Sequence, residues 1–140
     1  MIRILLADDH DVVRRGLSAL LANRADWQVV GEAQNGREAV SLAVKLKPNV
    51  AVLDLSMPEL NALEATRQIR KEVPETEVLV LSMYETEQFV RALLAAGARG
   101  YVLKTDVTTQ LLVAVETVAR HKPLFKLDEP PAGGRFAAET

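Results

Sequence analysis

Five polar residues stand at, or one residue past, the ends of short apolar runs. Asp8 and Asp9 follow Ile2–Ala7, Asp54 follows 50–53, Ser82 follows 78–81 and Lys104 follows 101–103. If those runs are parallel strands of one sheet, all five side chains gather at its carboxyl edge, where open α/β sheets place their sites. Three carboxylates held together repel one another unless a cation neutralises them. A ligand set of carboxylate oxygens selects a hard ion, and a shallow site that keeps several waters suits Mg2+. The Ser82 hydroxyl and the Lys104 ammonium beside that ion make a cradle for phosphoryl oxygens. Asp54, flanked by both, is the carboxylate set to accept the group.

The residues after Asp54 extend the cradle. Pro58 fixes the loop's φ, and the amides of Ser56 and Met57 are available to point back at an anion. Met83, next to Ser82, joins Ser56 and Met57 among the residues set to line the bound groups. Each residue alone has a plainer reading: an aspartate after a strand often caps the next helix, and a lysine at a strand exit ordinarily faces solvent. Five in register outweigh those readings. His10 reads as an exposed residue near the first helix start rather than a ligand or base. His121 receives no role, and Trp27 reads as a packing or edge-covering residue.

Strand and helix patterns alternate five times to position these groups. Ile2–Ala7 precedes a helix over 12–22 with an apolar stripe at Val13, Leu17, Leu20 and Leu21. Trp27–Ala33 precedes a helix opened by Asn35, with Glu38 at capping-box spacing and Pro48 after its exit. Val50–Asp54 precedes a helix from Asn61, with Glu64 at the same spacing, to about Glu72. Residues 78–82 precede a helix over 86–96 that ends at Gly97, a fitting C-cap. Gly100–Leu103 precedes a helix over 107–120 striped by Leu111, Val115 and Val118. Five βα units with nearly all-apolar strands predict an α/β fold, a doubly wound parallel sheet buried on both faces with right-handed crossovers. The pattern does not order the strands.

A 140-residue chain that is 49% hydrophobic and 26% charged fits one globular domain. Without cysteine there is no disulfide, thiolate metal site or thiol nucleophile. A net charge of −2 gives no overall basic field to attract nucleic acid or membrane. No apolar stretch approaches ~20 residues, and the first residues follow a strand pattern rather than a signal peptide, so a cytoplasmic protein is expected. Beyond Arg120 the texture changes: Pro123, Pro130, Pro131, Gly133 and Gly134 interrupt a segment with no helical period and balanced charge. The expected limits are a domain over 1–120 and a flexible tail or linker stub over 121–140.

The blocks Leu-Leu-Ala-Asp-Asp-His-Asp at 5–11, Asp-Leu-Ser-Met-Pro at 54–58, Leu-Ser-Met-Tyr at 81–84 and Gly-Tyr-Val-Leu-Lys at 100–104 closely resemble the receiver domain of two-component response regulators. The stretch Leu-Leu-Ala-Ala-Gly-Ala-Arg-Gly-Tyr at 93–101 is nearest the NarL/FixJ (LuxR-type) subfamily. The resemblance implies a flavodoxin-like (βα)5 fold with strand order 2-1-3-4-5. It implies Asp54 as phosphoacceptor, Mg2+ held by Asp9, Asp54 and the Ser56 carbonyl with Asp8 acting through water, and Lys104 and Ser82 on the phosphoryl oxygens. Tyr101 would be the aromatic whose rotamer couples to Ser82. The implied partners are a sensor histidine kinase and a second copy of the chain. DNA is implied only through a helix-turn-helix domain that these 140 residues lack. The activity implied is self-phosphorylation with at most slow autodephosphorylation, rather than enzymatic turnover.

Two positions depart from the family's pattern: Ala62 stands where glycine is usual, and Met83 where a smaller residue is common. A phosphatase of the haloacid dehalogenase type would want a second acid at position 56, which is Ser56. A Rossmann nucleotide site would need a glycine-rich turn after the first strand, and the first glycine is Gly16. A receiver that had lost phosphorylation would lack a site acid or the lysine, and neither is missing.

Overall fold

In the computed structural model, the described residues are 1–57, 59–83 and 85–124. The chain runs β1 (Ile2–Ala7), α1 (Asp11–Ala22), β2 (Trp27–Ala33), α2 (Gly36–Leu46), β3 (Val50–Asp54), α3 (Ala62–Glu72), β4 (Glu77–Ser82), α4 (Glu87–Ala96), β5 (Gly100–Leu103) and α5 (Val107–Ala119). A 3-10 turn over Lys104–Asp106 joins the last two. All pairings are parallel, in the order β2-β1-β3-β4-β5. This is the fold and strand order that the resemblance implies.

Side chains alternate across a strand, and here both faces are apolar. Leu5, Ala7, Ala51, Leu53, Val78 and Val80 face α2, α3 and α4, packing with Ala39, Ile69 and Leu93. Ile4, Leu6, Val50, Val52, Leu79 and Leu81 face α1 and α5, packing with Leu17, Leu21, Leu111 and Val115. That two-sided burial is why the strands read as unbroken apolar runs. The helices start where their caps put them. Asn35 Oδ1 accepts from the Glu38 amide at 2.8 Å, Asn61 Oδ1 from the Glu64 amide at 3.0 Å, and Thr86 Oγ1 from the Phe89 amide at 3.3 Å. Gly97, at φ 102°, closes α4 in the left-handed conformation that suits glycine. Ala62 takes an ordinary place as the first residue of α3, so nothing there requires the family's glycine.

One boundary differs for a physical reason. The apolar pattern starts the fourth strand at Val78, yet Glu77 is part of β4 and is only 1% exposed. Its carboxylate is met by Arg99 through Nε (3.1 Å) and an η-nitrogen (3.0 Å), by Arg70 at 3.3 Å and by His121 Nδ1 at 2.5 Å. Burial pushes Glu77 up, but the bonds from Arg99 and His121 and the charges of Arg70 and Arg99 outweigh it and hold the carboxyl below its ordinary value. Stability from a carboxyl held low is present above the ordinary carboxylate range and is lost as pH falls through the folded value. Glu77→Gln is expected to lower stability by about 3 kcal/mol at neutral pH, the low end for a broken buried pair because its arginines can turn to solvent. Denaturant melts of parent and variant should converge in acid; a gap unchanged by pH would contradict this.

The segment after α5 also differs from expectation. His121, at φ 64°, turns the chain back, and Leu124 forms a parallel bridge with Gly100. The Leu124 amide donates to the Arg99 carbonyl and the Tyr101 amide to the Leu124 carbonyl, each at 3.0 Å. A Cβ on Gly100 would collide with the Leu124 carbonyl oxygen. Residues 121–124 therefore pack on the domain and cover part of the outer edge of β5, a usual protection for an edge strand. The remainder of the expected tail, 125–140, lies outside the described residues.

Candidate phosphoryl and metal site

Strand register assembles the site. Ala7 pairs with Leu53, so Asp8 and Asp54 follow side by side; Asp54 pairs with Leu81 and Ser82 with Leu103, which leaves Ser82 and Lys104 at the same edge. Asp8, Asp54 and Ser82 are fully buried. One ligand atom from each of Asp8, Asp9, His10 and Asp54 falls within 4.8 Å of the others. The Lys104 ammonium lies 2.5 Å from Asp54 Oδ1, its side chain 27% exposed. Asp8 Oδ1 accepts from the His10 amide at 2.8 Å. Asp8 Oδ2 and Asp54 Oδ2 are buried without a hydrogen bond.

Buried carboxylate oxygens without partners are costly, and three carboxylates with one ammonium remain net negative. The donor set therefore fits a hard divalent cation. His10 corrects the sequence reading in part. It is exposed, as expected, but its Nδ1 lies 3.0 Å from Asp9 Oδ1 and 3.4 Å from Asp8 Oδ1, so an imidazole borders the carboxylates.

The loop after Asp54 is anchored at both ends. The Leu55 amide donates to the Leu81 carbonyl at 3.0 Å, and a Cβ on Gly36 would collide with the Leu60 carbonyl oxygen, so α2 packs tightly on the loop. Ser56 is exposed, while the Met57 side chain is buried in the core, which leaves only its backbone amide for an anion. Met83 is exposed beside Ser82. Pro58 lies outside the described residues.

Tyr101 is 2% exposed, and its hydroxyl donates to Glu85 Oε2 at 3.1 Å. The inward position is thus already filled, and any swing must break this bond. Trp27 is buried at the start of edge strand β2, with the Arg24 guanidinium 4.8 Å above its ring.

Arg14 was not apparent as a site neighbour. Its side chain is 9% exposed and donates through Nε to Glu32 (2.9 Å), through Nη1 to the Asp8 carbonyl (2.8 Å) and through Nη2 to Asp11 (2.8 Å). Burial disfavours its charge, but the bonds to Glu32 and Asp11 outweigh burial and hold Arg14 above its ordinary value. The Asp11–Arg14 spacing of a helical ion pair was the available signal; the contact with the Asp8 carbonyl had none.

A flavodoxin-like sheet that brings three carboxylates, a hydroxyl and a lysine to one end defines an α/β domain of the receiver class. The family model described as response regulator receiver domain matches residues 4–116, and the chain belongs to that family. It is 40% identical over 133 residues to the transcriptional regulatory protein LiaR of Bacillus subtilis, covering 95% of this chain and 62% of that protein. To the response regulator protein VraR of Staphylococcus aureus it is 38% identical over 125 residues, 89% of this chain and 60% of that one. The chain thus spans about three fifths of these relatives. Among solved structures, a LuxR-family two-component response regulator from Aurantimonas matches at TM-score 0.85 and 32% identity, covering 99% of this chain and 96% of that one. The signal receiver domain of a NarL response regulator from Mycobacterium tuberculosis matches at 0.82 and 31%, covering 86% and 98%. The domain is a receiver of the LuxR/NarL type.

Proposed function

We propose that this domain takes a phosphoryl group onto Asp54 in a step that requires Mg2+. The reading rests on one observation above all: a buried Asp54 that pairs with the Lys104 ammonium through Oδ1 and also contributes to a cluster of carboxylates. Asp9, Asp54 and the Ser56 carbonyl are the ligands, with Asp8 acting through water. The ion, when bound, neutralises the carboxylates and the incoming phosphoryl oxygens. An Asp54 oxygen bonds to phosphorus as the bond to the donor breaks. The leaving group is the imidazole of a phosphohistidine in a sensor kinase, or acetate from acetyl phosphate. Lys104 and the Ser82 hydroxyl hold the transferred oxygens, aided by the amides of Ser56 and Met57, with Met83 at the rim. The domain is a signalling acceptor rather than an enzyme.

Ser82, drawn toward the phosphoryl group, moves the turn that carries Glu85 and so biases Tyr101. A few kcal/mol of differential contact suffices to shift such a two-state element. The face so altered, α4, β5 and α5, is the output surface toward a partner or a second copy. In a longer LuxR/NarL-type protein it governs a DNA-binding domain and transcription. No helix among the described residues is long and apolar enough to cross a membrane, and a cytoplasmic setting is part of the same proposal.

Intact mass after treatment with acetyl phosphate tests the reading. One added phosphoryl group is expected with Mg2+, and none with EDTA. Labelling that persists in EDTA contradicts the metal requirement, and steady turnover of a phosphate monoester would favour a phosphatase.

A further inference from the structure

We propose that Arg14 is a positioning residue for the Mg2+ ligands, fixing the angle between the Asp8 and Asp9 carboxylates through the peptide unit that joins them. The inference rests on the phosphoacceptor reading above. A peptide unit is planar, so the direction of the Asp8 carbonyl sets ψ of Asp8 and φ of Asp9 together, and with them both side-chain directions. That carbonyl accepts from Arg14 Nη1 at 2.8 Å, while the Asp8 amide donates to the Ala33 carbonyl on β2 at 3.0 Å. The two peptide units that flank Asp8 are thus each held, the one before it by β2 and the one that joins it to Asp9 by Arg14. Arg14 is itself fixed by contacts to three places: the β1–α1 junction at Asp8, the first turn of α1 at Asp11 and strand β2 at Glu32. A planar fork holds three such acceptors at fixed angles; a lysine cannot.

Charge supports the same reading. A buried cation this near the carboxylates could act as a substitute counter-ion. Arg14 instead directs its charge into Asp11 and Glu32 and offers the site only a hydrogen bond to a backbone carbonyl. It orders the ligands without neutralising them, as residues behind metal ligands commonly do.

Calorimetric titration of Mg2+ into the parent, Arg14→Met, Arg14→Lys and Glu32→Ala chains tests this, with thermal melts confirming folding. Arg14→Met is expected to weaken Mg2+ binding roughly 10- to 100-fold, and Arg14→Lys should restore little of it. Glu32→Ala, which removes one arm at an exposed position, should weaken binding by less. It decides the matter if Arg14→Met does not fold. Parent-like affinity in Glu32→Ala and in whichever Arg14 variants fold overturns the proposal while leaving the phosphoacceptor reading intact. Full rescue by Arg14→Lys also overturns it, since charge alone would then suffice. A parent that binds no Mg2+ overturns the metal site itself, and the role of Arg14 with it.

Discussion

An Asp54→Asn chain is expected to carry no phosphoryl group under conditions that label the parent fully. Asparagine keeps the shape of a fully buried side chain, so core packing beneath it is preserved. What it loses is the anionic oxygen that, in the proposed function, bonds to phosphorus, and the charge that holds the Lys104 ammonium at 2.5 Å. Intact mass after acetyl phosphate treatment with Mg2+ checks this. Undiminished labelling of the variant would place the chemistry on another side chain.

The next largest effect is expected from Lys104→Ala. Among the described residues, Lys104 is the basic side chain paired with Asp54, and it comes from the 3-10 turn after β5, which lies on the opposite side of β3 in the sheet from β1 and the Asp8 and Asp9 that follow it. In the proposed transfer its charge would oppose the negative charge that accumulates on the phosphoryl group. Removing one preorganised donor of this kind slows a reaction by about 10²–10³-fold. The initial rate of labelling should fall by that factor without vanishing, because Ser82 and the metal ligands remain. A rate within a few-fold of the parent would mean that Lys104 pairs with Asp54 in the resting protein and does nothing more.

The sheet and its site were legible for the same reason. Residues such as Leu6, Val52 and Leu79 sit on strands covered on both sides, so the strands appear as unbroken apolar runs, and the first polar residue after each run is at the carboxyl edge. The capped helices were equally plain at Asn35 and Asn61. Strand order came only from the resemblance, because apolar runs carry no information about neighbours.

What stayed hidden depends on partners far apart in the chain. Glu77 meets His121 across 44 residues and Arg14 meets Glu32 across 18. A charged residue at a strand start gives no sign that it will be buried among counter-charges. Leu124 was obscured by the Pro- and Gly-rich texture around it, although one apolar residue is enough to dock on a strand edge.

The most direct measurement of the central claim locates the phosphoryl group itself. An aspartyl phosphate is reduced by borohydride to homoserine, which peptide mass mapping assigns to a position. Treatment with acetyl phosphate and Mg2+ is expected to give homoserine at position 54 alone, and none when EDTA is present. Reduction product at Asp8 or Asp9, or at position 54 regardless of metal, would contradict the account.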